Sequence, residues 1–140
     1  EALPKAKILH IVRDPMETCF SNLRELFANA NPYSYDQLEL ADFYQQYRRL
    51  MAHWHVRYPG RILDVDYAQL TRDPEQVVRR VCDFIGVAFE PGMLGMQSRT
   101  RGIVTASAVQ VRDRIQVQEI PKWRAYERHL MPLRERLGRG

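Results

Sequence analysis

Three residues of this chain combine a suitable side chain with a suitable place in the sequence for holding a phosphate-bearing nucleotide. Arg13 follows the apolar run Lys7-Ile8-Leu9-His10-Ile11-Val12, where a strand would hand over to a helix. In parallel α/β sheets ligands gather beyond the carboxyl ends of strands. A helix amino terminus placed there offers unpaired N–H groups and a dipole that favours an anion. Ser21 falls two turns along that helix, on its polar face, with a hydroxyl able to donate to a phosphate oxygen. Tyr67 stands just past a second apolar run, placed to lay its ring against a base. Plainer readings stay open, since Arg-Asp-Pro opens many helices and a tyrosine at a strand end is often core.

The remaining reactive side chains point to less. His53 and His55 sit two apart on an expected helix and cannot share a face, His10 is inside a strand and reads as core, and His129 begins the last helix. No metal site is expected from these spacings. Cys19 and Cys82 stand alone and far apart, which suggests neither a disulfide framework nor a zinc site and fits a reducing, cytoplasmic setting. Asp64 and Asp66 share one strand face, lack further ligands, and are expected to cap a helix or pair with an arginine.

The elements that must position Arg13, Ser21 and Tyr67 follow from hydrophobic period and end signals. Residues 7–12 form a nearly continuous apolar run, the pattern of a strand buried on both faces of a parallel sheet. Asp14 can cap the next helix, Pro15 suits its first position, and Glu17 closes a capping box. Met16, Cys19, Phe20, Leu23 and Phe27 then recur at helical spacing, with Thr18, Ser21 and Arg24 on the other face. Residues 29–35 read as a turn punctuated by Asn31-Pro32. Asp36 and Glu39 open a long helix that runs to about Arg57, with Leu40, Phe43, Tyr47, Leu50 or Met51, and Trp54 as its stripe. Tyr58-Pro59-Gly60 ends it, and residues 61–65 form the second strand. Asp73 caps a third helix that turns Val77, Val81, Phe84 and Ile85 inward and stops at Gly86. Residues 87–121 look irregular, and two short helices close the chain, around Trp123 and over 130–137. Two strands joined by a helical crossover belong in a parallel sheet. Two strands alone leave bare edges and a poorly covered face, so further strands are expected upstream.

Composition sets bounds on this reading. The chain has 140 residues, 45% of them hydrophobic and 27% charged, which suits one globular domain. No apolar stretch approaches membrane-spanning length, and the first residues show no signal-peptide pattern. The absence of an initiator Met also suggests a fragment. Charge is uneven: residues 1–98 hold 11 Lys/Arg against 13 Asp/Glu, and residues 99–140 hold 10 against 4. A basic tail suggests either an anionic partner or a solvated helix surface.

With these residues in view, a resemblance emerges. Lys5-Ala6-Lys7-Ile8-Leu9-His10-Ile11-Val12-Arg13-Asp14-Pro15, followed by Thr18-Cys19-Phe20-Ser21-Asn22, resembles the 3′-phosphate-binding segment of the PAPS-dependent sulfotransferases. Asn31-Pro32-Tyr33-Ser34-Tyr35-Asp36, Tyr47-Arg48-Arg49-Leu50-Met51-Ala52-His53-Trp54 and Pro59-Gly60-Arg61-Ile62-Leu63-Asp64-Val65-Asp66-Tyr67 are similar to bacterial members often fused to TPR repeats. Where that family usually shows Tyr-Glu-Asp-Leu, this chain has Tyr67-Ala68-Gln69-Leu70 and keeps only the tyrosine and the leucine. Thr105 to Arg112, then Lys122-Trp123-Arg124-Ala125-Tyr126 and His129-Leu130, resembles the family's closing loop and Lys-Trp element, a region whose Ser and Lys contact the nucleotide in the related tyrosylprotein branch.

The resemblance implies an α/β fold, helix-rich, with part of a P-loop-NTPase-like parallel sheet flanked by helices and its amino-terminal strands missing. It implies residues 1–140 as the carboxy-terminal part of a single sulfotransferase domain. It implies PAPS as co-substrate without a metal, with the sulfuryl group passing to a hydroxyl or amine of a small molecule, glycan or protein tyrosine. Arg13 and Ser21 would hold the 3′-phosphate, Tyr67 the adenine, and Ser107, Lys122 and Arg112 a phosphate edge. No Gly-rich loop occurs near the start, so the phosphosulfate-binding loop and the general base are expected upstream, and no catalytic residue is assigned within the chain. Two alternatives from other classes are a P-loop kinase relative, distinguished by its upstream Gly-x-x-x-x-Gly-Lys-Ser/Thr loop, and a basic nucleic-acid-binding module. Against the latter, aromatics in the tail are few and no nucleic-acid signature appears, so no nucleic-acid partner is expected.

Overall fold

A computed structural model of the chain describes residues 5–25, 27, 30–94 and 120–138. The chain divides into two compact units: Glu1–Val12 with Arg61–Gln118, and Arg13–Gly60 with Glu119–Gly140. No helix among the described residues is long and apolar enough to cross a membrane.

The first unit holds the sheet. Strands β1 (Ile8–Val12) and β2 (Ile62–Asp66) pair in parallel, with Ile8 opposite Ile62 and Val12 opposite Asp66, giving the α/β class expected from the sequence. Two helices follow β2 in this unit. Helix α3 (Tyr67–Arg72) begins directly after the strand, its first turn capped by the Asp66 carboxylate, which accepts from the Gln69 N–H at 2.9 Å. The sequence pattern gave no helix here, because six residues are too few to show a period. Helix α4 (Pro74–Ile85) has the expected Asp73 cap and ends at Gly86, whose φ of +84° is the left-handed stop that glycine adopts without a Cβ penalty. Val77 and Cys82 are its buried residues, and Val65 of β2 is buried in the same unit. Lys7 lies over the Phe84 ring and donates to the Phe84 carbonyl, which ties the residue before β1 to α4.

The apolar run of β1 has the character of a strand buried on both faces. Two strands alone leave it poorly covered, as expected: Ile8, Leu9 and Ile11 remain 49%, 42% and 52% exposed. The pairing is formed, but the faces of β1 are not covered.

The second unit is helical. Helix α1 (Pro15–Arg24) and helix α2 (Gln37–Arg57) are joined through a 3₁₀ turn over Pro32–Tyr35, and α5 (Met131–Leu137) follows a 3₁₀ helix over Lys122–Leu130. Met16, Cys19, Phe20, Leu40, Ala41, Trp123, Leu130 and Leu133 form one core. Asp36 starts α2 by accepting from the Leu38 and Glu39 N–H groups at 2.8 and 3.0 Å.

The buried face of α2 keeps most of the stripe the sequence suggests, with Leu40 buried and Tyr47, Met51 and Trp54 partly so, but departs from it at Phe43. Leu40 and Ala41 are buried and Tyr44 packs beside them, whereas Phe43 and Leu50 are about half exposed, Phe43 stacking on Tyr33 at 3.8 Å. The reason is that polar side chains bind α2 to the end of the chain. Gln37 donates to the His129 carbonyl at 3.0 Å and accepts from the Leu133 N–H at 3.3 Å. Gln45 donates to the Arg136 carbonyl at 2.6 Å, and Arg136 grips Asp42 through two bonds of 2.6 and 2.9 Å. Hydrophobic period alone cannot detect a helix face that is fixed by glutamine amides.

Candidate functional site

Arg13 is the residue next after β1 and stands one place before the cap of α1, where a cation is opposed by the helix dipole. Its Nε donates to Glu17 Oε2 at 3.1 Å, an i,i+4 pair in which both side chains are only partly exposed. Asp14 caps the helix by accepting from the Glu17 N–H at 2.9 Å. The capping box expected from the sequence is therefore half formed. The Asp14 half is present, and the Glu17 carboxylate turns to Arg13 instead of returning to the Asp14 N–H.

Ser21 is exposed on α1, one turn beyond Glu17. Beneath it the helix is fixed by burial of Met16, Cys19 and Phe20. Burial, with the Asp14 carboxylate adding to it, pushes the Cys19 thiol up to about 12, so Cys19 is an inert core group and not a nucleophile.

Lys122 belongs to the same unit as Arg13 and Ser21. It is exposed at the first position of its 3₁₀ helix, next to Trp123, which is buried in the core shared with α1. Phe20 and Tyr126 bring the two segments together, their ring centroids 5.3 Å apart. The Trp123 indole N–H is buried without a hydrogen-bond partner.

Tyr67 lies in the sheet unit, at the first position of α3 with its ring 40% exposed, and not in the core as the plainer reading would have it. Val12 and Asp66 are register partners, so Arg13 and Tyr67 each follow, in sequence, the last residue of a paired strand. Ser107 and Arg112 lie outside the described residues.

His10, read from the sequence as core, is only partly buried, and Asp64, expected to cap a helix or pair with an arginine, meets His10. His10 and Asp64 are cross-strand partners, Nδ1 to Oδ1 2.7 Å apart, and the Asp64 carbonyl accepts from Arg80. The basic tail is partly neutralised internally: Arg124 and Arg134 reach Glu127 at 3.2 and 2.7 Å, and Arg136 is held by Asp42. Among the described residues, Arg124, Arg134 and Arg136 therefore serve the helix surface. Capping logic accounts for Glu17 in the sequence, and its position four residues after Arg13 is the signal for the pair that the structure forms.

A helix amino terminus at the end of a strand offers N–H groups and a dipole suited to an anion. Residues 1–91 match the family model described as "Sulfotransferase family". The chain belongs to the sulfotransferase family. The matched residues include Arg13, Ser21 and Tyr67 and stop short of Lys122. The chain is also 34% identical, over 140 residues, to an uncharacterized protein of Aquifex aeolicus (strain VF5), covering 98% of this chain and 18% of that protein. It thus spans under a fifth of the length of this relative. No solved structure matches the chain significantly.

Proposed function

We propose that this chain carries the nucleotide anchors of a PAPS-dependent sulfotransferase, as the carboxy-terminal part of a single sulfotransferase domain. Arg13 and Ser21 hold the 3′-phosphate, Tyr67 lies against the adenine, and Lys122, with Ser107 and Arg112, takes a phosphate edge. The observation that carries this reading is the placement of Arg13 directly after a parallel strand and before a capped helix, with Ser21 exposed further along that helix. The half-exposed apolar residues of β1 support further strands of the same domain lying against this sheet.

Sulfuryl transfer is an in-line displacement in which positioning and stabilisation of charge do most of the work. Phosphoryl transfer follows the same logic. The anchors contribute by fixing the nucleotide, so that binding energy at the remote 3′-phosphate orients the reacting end. The bond-breaking groups, meaning the phosphosulfate-binding loop and the general base, belong to other segments of the protein. No metal enters this scheme. The acceptor is a hydroxyl or amine of a small molecule, glycan or protein tyrosine, and the free thiols Cys19 and Cys82 fit a cytoplasmic setting.

Calorimetry on the whole protein that carries this chain tests the assignment. Adenosine 3′,5′-bisphosphate should bind about ten- to hundred-fold more tightly than 5′-AMP, the size of a charge-assisted contact from Arg13. Equal affinities would remove Arg13 and Ser21 from the site.

A further inference from the structure

We propose that Glu17 is a positioning residue of the nucleotide site: its carboxylate holds the Arg13 guanidinium by Nε in the orientation that receives the 3′-phosphate. This rests on the assignment of Arg13 as the phosphate anchor.

The start of α1 has one more carboxylate than capping needs. Asp14 already accepts from the Glu17 N–H at 2.9 Å, and the first helical position is a proline, which has no N–H to satisfy. In a capping box the glutamate at the third helical position would return to the cap N–H. Glu17 occupies that position but reaches outward to Arg13 Nε at 3.1 Å. The helix therefore starts without help from the Glu17 side chain, and the contact that Glu17 makes is with the proposed anchor.

Arg13 immediately precedes the helix cap, where the dipole of α1 opposes a cation. Arginine recognises phosphate through a planar fork whose direction matters, and a flexible guanidinium must be ordered at a cost in side-chain entropy when the ligand arrives. A carboxylate on Nε helps to order the guanidinium plane before a phosphate arrives. That is preorganisation of a binding group by its neighbour.

The degree of shielding supports a role beyond surface decoration. The Arg13 and Glu17 side chains are 37% and 21% exposed, whereas Arg79 and Glu75, the same spacing on α4, are 54% and 54% exposed. Solvent screening weakens the α4 pair more. Arg13, Glu17 and Ser21 also follow one another at intervals of four, which places Glu17 and Ser21 on adjacent turns of one helix side.

Glu17 carries a negative charge, so the opposite action is conceivable on the same contact: a carboxylate that competes with the phosphate for Arg13. The two actions differ in sign. The experiment measures affinities of the whole protein for adenosine 3′,5′-bisphosphate and for 5′-AMP, and takes their ratio. Glu17→Ala should reduce the ratio by about tenfold, the scale of a lost charge-assisted contact, with 5′-AMP affinity unchanged. Glu17→Gln, whose amide oxygen can still accept from Nε, should restore the ratio to within about threefold of the unaltered protein, a neutral acceptor being weaker than a charged one. Glu17→Asp keeps the charge but retracts the carboxylate, and should behave like the alanine variant. In an Arg13→Ala background, Glu17→Ala should change nothing further. The unchanged 5′-AMP affinity reports a folded site, and Glu17→Gln and Glu17→Asp decide the matter if the alanine variant fails to fold. A ratio that rises in Glu17→Ala and Glu17→Gln makes Glu17 a competitor and overturns the proposal, as does a ratio that none of the variants moves. A ratio near one in the unaltered protein removes the anchor assignment itself, a failure visible before any variant is made.

Discussion

The helical unit and the sheet unit are stabilised in different ways, and the difference separates what is local in this protein from what is not. In the helical unit, α1, α2, α5 and the Lys122–Leu130 segment close around Leu133, Cys19 and Ala41, each fully buried. In the sheet unit, the strands are correctly paired but Ile8, Leu9 and Ile11 stay about half exposed, and Val65 is the one buried strand residue among those described. A helix pair can bury its apolar faces with two or three partners, while a parallel sheet needs cover on both sides. The proposed anchors divide accordingly, with Arg13, Ser21 and Lys122 on the closed unit and Tyr67 on the open one.

This contrast predicts a ranking of mutational costs. Leu133→Ala, at a fully buried position, should destabilise the helical unit by about 2–5 kcal/mol in denaturant titration. Ile11→Ala, at a half-exposed strand position, should cost about 1 kcal/mol or less, since little burial is lost. Equal costs would erase the distinction between the two units. Asp36→Ala should come next, at about 1 kcal/mol, because its carboxylate satisfies two first-turn N–H groups of α2.

The smallest effect is electrostatic and tests how α5 is joined to α2. The hydrogen bond from Arg136, with the charges of Arg136 and Arg49 helping, holds the Asp42 carboxyl below its ordinary value of 3.8. A carboxyl lowered in the fold stabilises above its unfolded pKa, and that contribution fades as pH falls through the folded one. Stability curves of the unaltered chain and of Asp42→Asn should differ slightly at neutral pH and converge as pH drops below 3.8. Curves that diverge in acid would show that the pair does not tie the two helices.

Legibility in the sequence follows the same division. Caps and stops were readable because they depend on a few adjacent residues: Asp14, Asp36 and Asp73 start helices, and Gly86 ends one. The two strands and their parallel pairing were readable from short apolar runs joined by a helical crossover. The face of α2 was readable only in part, because Gln37, Gln45 and Asp42 also serve as cross-links and count as polar in any periodic reading. Helix α3 was too short to show a period. At the site, Arg13 and Ser21 were found by strand-end and helix-start logic, whereas the engagement of Glu17 with Arg13 required coordinates, since a half-formed and a complete capping box have the same sequence.

Hydrogen exchange on the whole protein, with and without adenosine 3′,5′-bisphosphate, tests most directly whether the anchors lie where we propose. Amides that open locally report binding where it occurs. Nucleotide should slow exchange in the first turn of α1, at the start of the Lys122–Leu130 helix and at the start of α3, with the end of α4 unchanged and with 5′-AMP giving little protection at α1. Exchange at α1 that is unaffected by the bisphosphate, or slowed equally by 5′-AMP, would contradict the account.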